Sequence, residues 1–144
     1  MLKKIVALLV CLVGLTIFIS ILNCQSSMKT ITLPNGEVVW NLTGEWDVLI
    51  EPYGPWSLAP SYKQIYKITQ KGNSFEAFRT MADKYNQQGS QALRGQLDKN
   101  GIKRVQIISR VLPDPWDAKG TISEDGNMMI IDDGEKIKVT YTRK

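Results

Sequence analysis

Apolar and polar residues alternate through the last strand-like stretch of the chain. Ile137, Val139 and Tyr141 fall on one side of it, and Lys136, Lys138, Thr140 and Thr142 on the other. A period of two predicts a half-buried strand. Arg143 is in phase with the apolar set. The same pattern opens the domain over 44–51, where Trp46, Val48 and Ile50 oppose Glu45, Asp47 and Glu51. Between these ends lie further runs at 62–70, 73–81, 91–98, 102–110, 117–123 and 127–132, the last strand covering 135–143. Lys71-Gly72, Asn100-Gly101, Asp125-Gly126 and Asp133-Gly134 separate neighbouring runs. Asn-Gly and Asp-Gly are strong hairpin signals, because a type I′ turn needs positive φ at both central residues.

One segment is ambiguous. Phe75, Phe78, Met81, Ala82 and Tyr85 also lie at helical spacing, so a helix over 74–86 rivals the third strand. The reading adopted keeps a strand through Arg79, followed by at most a turn of helix. The prediction is an all-β domain, an eight-stranded antiparallel up-and-down (meander) barrel. An open sheet of eight strands would leave two unpaired edges, and closure removes both.

The first residues do not share this pattern. Lys3 and Lys4 precede an uncharged run from Ile5 to Leu22, and polar Asn23 to Ser27 follow. That is the layout of a secretory signal. The run is about 18 residues, or about 27 Å as a helix, which also reaches the minimum for a membrane anchor. The expected organisation is a signal peptide or anchor helix over 1–23, a tether over 24–37 and a barrel over 38–144. Each form of the leader exports the domain.

Composition narrows the chemistry. There is no histidine, which removes Ser-His and Cys-His nucleophilic schemes and most zinc sites. Of the two cysteines, Cys11 lies in the apolar leader and Cys24 at its exit, so the barrel has no disulfide. Two of the 18 basic residues precede Cys24 and all 14 acidic residues follow it. The domain is thus weakly basic, with no nucleic-acid patch beyond the pair Lys103-Arg104. Asp125, Asp132, Asp133 and Glu135 flank hairpin glycines, where Asp serves the turn backbone. No enzyme activity, cofactor or metal is expected.

Two resemblances add to this reading. Ile21-Leu22-Asn23-Cys24 resembles the lipobox of bacterial lipoproteins, with Asn23 in place of the usual small residue. It implies cleavage before Cys24 and lipidation of that cysteine. Gln25 is not the Asp that retains lipoproteins at the inner membrane, so the periplasmic face of the outer membrane is implied in a Gram-negative host. The barrel resembles the calycins, the lipocalin-like family, through Gly44-x-Trp46 on the first strand and Arg143 on the last. The family packs such an arginine across the tryptophan, and Gly44, Trp46 and Arg143 are thereby implied to close one barrel end. The Thr-Asp-Tyr signature of lipocalins is absent. Fatty-acid-binding members grip a carboxylate with an Arg and a Tyr on the last strand; Tyr141-x-Arg143 carries the pair in reversed order.

Function is expected at the other end. Tyr53, Trp56, Leu58 and Tyr62 lie in or beside the Pro-rich loop after the first strand. In this fold the loop caps the mouth, either as a plug or as a ligand lid. Tyr66, Ile68, Phe78, Leu93, Leu97, Val105, Ile107, Ile122, Ile130 and Val139 are expected inside. Gly95 and Gly120 either leave room there or relieve strain. Tyr53, Trp56, Tyr62, Tyr66, Phe78 and Tyr141 are the candidate ligand contacts. The expected function is a lipid-anchored envelope barrel binding a small hydrophobic or amphipathic ligand. Its membrane partner is reached through Cys24 or an uncleaved helix. The rival is a protein-binding or inhibitory module with a packed core. Oligomeric state is open.

Overall fold

The computed structural model describes residues 29–144; the leader and Cys24 lie outside the described residues. Among the described residues there are ten strands and a single short helical turn, Gly54–Trp56. Strands β1 (Thr30–Thr32) and β2 (Val38–Trp40) form a small antiparallel hairpin. Eight strands then close a barrel: β3 (Gly44–Pro52), β4 (Tyr62–Lys71), β5 (Ser74–Arg79), β6 (Gln91–Asp98), β7 (Gly101–Ile107), β8 (Trp116–Ile122), β9 (Met128–Asp132) and β10 (Ile137–Arg143). Each pairs antiparallel with its sequence neighbour, and β10 pairs with β3 to complete the ring.

Alternation places the core. Trp46, Val48 and Ile50 of β3, Tyr66 and Ile68 of β4, and Val139 and Tyr141 of β10 are buried inside. The third barrel strand differs from expectation. Phe75, Ala77 and Arg79 face inward, whereas Phe78 takes the outer phase and is half-buried. A register shift between Ala77 and Phe78 interrupts pairing with β6 there. On β9 the inward residues are Met129 and Ile131, and Ile130 takes the outer phase. The helix weighed over 74–86 does not form: β5 ends at Arg79 and bends and turns follow.

The hairpin turns stand where expected but are not type I′. No described residue other than glycine has positive φ, and type I′ requires it at both central positions. Carboxylates organise the turns instead. Asp133 Oδ1 accepts the backbone N–H groups of Glu135, Lys136 and Ile137. The interior glycines leave no ligand room. A Cβ on Gly95 would stand 2.5 Å from Cζ of Phe75, and one on Gly120 2.6 Å from Cδ1 of Ile102. Neighbouring side chains already fill both places.

The β1–β2 hairpin covers one end of the barrel. β1 falls in the segment expected as tether, yet Ile31 and Leu33 pack on the core, and Val39 of β2 is buried. A strap of residues 40–43 then crosses into β3, with Leu42 fully buried. Gln70, at the end of β4, accepts the N–H of Leu42 at 2.8 Å and donates to the Trp40 carbonyl at 2.9 Å. The strap's backbone groups therefore find side-chain partners where no strand reaches them.

Candidate functional site

The two barrel ends have different chemistry. At the strap end, Arg143 is the cross-strand partner of Trp46. Its Cζ lies 4.5 Å from the centroid of the Trp46 ring. Its Nη2 donates to the Asn41 carbonyl at 2.6 Å and its Nη1 to that of Thr43 at 3.1 Å. Trp46 is fully buried and its Nε1 donates to the Leu42 carbonyl at 2.9 Å. Gly44, at φ 140°, lets the chain enter β3 beneath the guanidinium; a Cβ there would lie 3.6 Å from Nη1 of Arg143. This end is sealed by indole, guanidinium and strap.

The other end holds a cavity of about 280 Å³. Its inner wall includes Ile50, Tyr66, Ala92, Ile107, Val139 and Tyr141, and Trp56, Tyr62, Trp116 and Ile137 lie toward its mouth. Leu58, Tyr85 and Val111 also line it and are 99%, 47% and 50% exposed, forming an apolar rim. Of the candidate ligand contacts, Trp56, Tyr62, Tyr66 and Tyr141 line this cavity. Tyr53 and Phe78 do not. The Tyr53 hydroxyl donates to Asp132 at 2.5 Å, so it pins the loop to the β9–β10 turn. Phe78 is turned outward by the phase of β5.

The four connections at the mouth, β3–β4, β5–β6, β7–β8 and β9–β10, are tied to one another. After β3, Trp56 meets Trp116 edge to face at 6.3 Å, and Trp116 Nε1 donates to Asp133 Oδ2 at 2.9 Å. A Cβ on Gly54 would stand 2.3 Å from the Glu135 carbonyl oxygen, so only glycine lets this loop dock so closely on the β9–β10 turn. After β5, buried Asn86 accepts the N–H of Arg110 at 3.3 Å, tying the 80–90 loop to the segment after β7.

No family model, curated protein or solved structure matches the chain. Among the described residues no group of three or more His, Cys, Asp or Glu is placed to hold a metal ion. The acids Asp132 and Asp133 are engaged by Tyr53, Trp116 and the turn backbone.

Sequence reading missed the one charged residue in the cavity wall. Arg79 is only 5% exposed. Its Nη1 donates to Ser90 Oγ at 3.2 Å and to the Gln91 carbonyl at 2.6 Å, and its Nη2 to the Ile108 carbonyl at 2.8 Å. Its Cζ lies 5.7 Å from the Tyr66 ring centroid, and Tyr66 in turn meets Tyr141 edge to face at 5.9 Å. Burial pushes the Tyr66 phenol up to about 12, with Arg79 opposing the shift. Burial likewise raises Tyr62 and Tyr141. These hydroxyls are hydrogen-bond donors at neutral pH. The available signal was phase: Arg79 continues the Phe75 and Ala77 alternation.

Proposed function

We propose that this chain is a lipocalin-like binding barrel of the cell envelope, anchored through lipid on Cys24, that takes a small hydrophobic or amphipathic ligand into its mouth. The cavity carries the reading. Ligand sites are concave, mostly apolar and furnished with a few polar groups. The mouth has that composition, and its exposed apolar rim gives an entering ligand continuous contact. At about 30 Å³ per water-sized volume, the space suits a ligand of roughly ten non-hydrogen atoms. The strap end, sealed by Trp46 and Arg143, supports the calycin likeness but offers no site. Arg143 spends its donors on Asn41 and Thr43 and does not line the cavity with Tyr141, which favours closure over carboxylate binding for that residue.

Calorimetric titration of the purified protein with 1-octanol tests this reading. Saturable binding weakened by Val139→Trp, which fills the cavity, is the expected result. A folded protein that takes up no such ligand would instead favour the rival module, a protein-binding surface built on the exposed rim. Intact mass of the membrane-extracted protein reports the Cys24 modification: a diacylglyceryl cysteine at the N-terminus is expected, and an uncleaved leader refutes that part.

A further inference from the structure

The inner wall of the mouth cavity holds a buried cation and two phenols; its side-chain acceptors are Asn86, already engaged by Arg110, and the Ser109 hydroxyl. Arg79 is a buried cation, and a guanidinium carries five N–H donors. Its three hydrogen bonds account for three of them. The Nε is buried without a partner, and the guanidinium also reaches the Tyr66 hydroxyl. Among the described residues the ion pairs join Arg104 to Asp117, Lys136 to Glu135 and Lys144 to Glu45, and none involves Arg79. The charge of Asp83 reaches Tyr62 and Tyr66, and its Oδ1 accepts the N–H groups of Tyr85 and Asn86, but it forms no ion pair with Arg79. The hydroxyls of Tyr66 and Tyr141 donate no hydrogen bond to another described residue. A desolvated charge without an ion-pair partner is costly. Backbone carbonyls offset part of that cost but carry no net charge.

We infer that the ligand is a monoanion with a short apolar tail, its carboxylate received by Arg79 together with the hydroxyls of Tyr66 and Tyr141. An anion supplies what the wall lacks: acceptor atoms for unspent donors and a negative charge beside a buried positive one. Arginine pairs with carboxylate in planar, charge-assisted geometry. The apolar remainder of the cavity then holds the tail, with Trp116 and Trp56 near the mouth. The inference rests on the mouth cavity being a ligand site and adds the class of ligand.

The experiment compares octanoate with 1-octanol, probes of equal chain length, by calorimetry at neutral pH. Octanoate is expected to bind the full-length protein about tenfold tighter or more, equivalent to about 1.4 kcal/mol. In Arg79→Gln, shown to be folded by its circular dichroism, the ratio of octanoate to octanol affinity should fall to about one. Equal binding of the two probes, or tighter octanol, overturns the anion site and leaves the apolar site standing. Binding of neither overturns both. A second measurement needs no variant. With octanoate labelled with ¹³C at the carboxyl, the bound carboxyl should titrate below the free acid, as a neighbouring guanidinium demands. An unshifted or raised value overturns the assignment.

Discussion

Replacing Arg143 by Met removes the guanidinium but keeps an unbranched side chain over Trp46. Three contacts are lost: the cation over the indole at 4.5 Å and the donors to Asn41 and Thr43 at 2.6 and 3.1 Å. A cation–π contact at a partly exposed site is worth about 1 kcal/mol. A hydrogen bond from a charged donor contributes about 1.5–3 kcal/mol when buried, and about half that at this half-open rim. The sum is about 3 kcal/mol, or a fall of roughly 10 °C in Tm for a domain of this size. Urea denaturation followed by tryptophan fluorescence measures the loss. The partner variant Trp46→Phe and the double variant complete a cycle, whose coupling should be about 1 kcal/mol. Coupling within about 0.3 kcal/mol of zero would mean that indole and guanidinium are independent. A loss below about 0.5 kcal/mol for Arg143→Met would class it with ordinary surface arginines. Either result refutes the closure argument. Octanol binding should be unchanged in Arg143→Met, because cavity and closure occupy opposite barrel ends.

Further predictions concern packing and pH. Gly95→Ala drives a methyl group into the Phe75 ring and should destabilise by about 1–3 kcal/mol, with Phe75→Leu restoring part of the loss in thermal melts. For Asp133, burial raises the carboxyl, but the N–H groups of Lys136, Glu135 and Ile137 and the Trp116 indole outweigh it and hold it below 3.8. A carboxyl lowered on folding adds stability above its unfolded value, and that stability is lost as pH falls through the folded one. Wild type should therefore lose more stability than Asp133→Asn between neutral pH and pH about 3 in parallel urea titrations. The hydrogen bond to Asp132, with burial and the charges of Asp132 and Asp133, pushes the Tyr53 phenol from 10.0 up to about 12. Its contribution is complete below 10 and declines as pH rises toward 12. Tyr53→Phe should shrink the alkaline loss, to which the raised Tyr62, Tyr66 and Tyr141 also contribute, and remove one late phenol from the ultraviolet titration.

The barrel was legible because its signals are local. Glycine turns at Gly72, Gly101, Gly126 and Gly134 separate runs whose alternation marks an inner face, and Trp46 and Arg143 share that face across one register pair. Reading stopped at β5, where Ala77 and Phe78 put apolar side chains on both phases and a register shift follows. Choosing Phe78 as the inward residue placed Arg79 outside, and a charged residue in an inward position contradicts the hydropathy pattern that reading relies on. Gln70 and Leu42 were invisible for another reason. Their importance comes from backbone groups that no strand satisfies, a property of chain path. The first arm of the hairpin, 30–33, carries only Ile31 and Leu33 as an alternating pair, too short a run to separate from a tether.

The path of the strap also sets a direction. Lys29 accepts the Asn41 N–H at the sealed end, so the chain leaves the barrel opposite its mouth. Cys24 is five residues upstream, and at most about 3.6 Å per residue keeps it within roughly 18 Å of that point. An anchor on Cys24 would hold the sealed end against the bilayer and turn the opening toward the aqueous side. Ligand would then arrive through water or from a partner protein, with no lateral route from the lipid phase. Such a route selects molecules soluble enough to travel alone, and a short-chain acid meets that demand better than a membrane lipid.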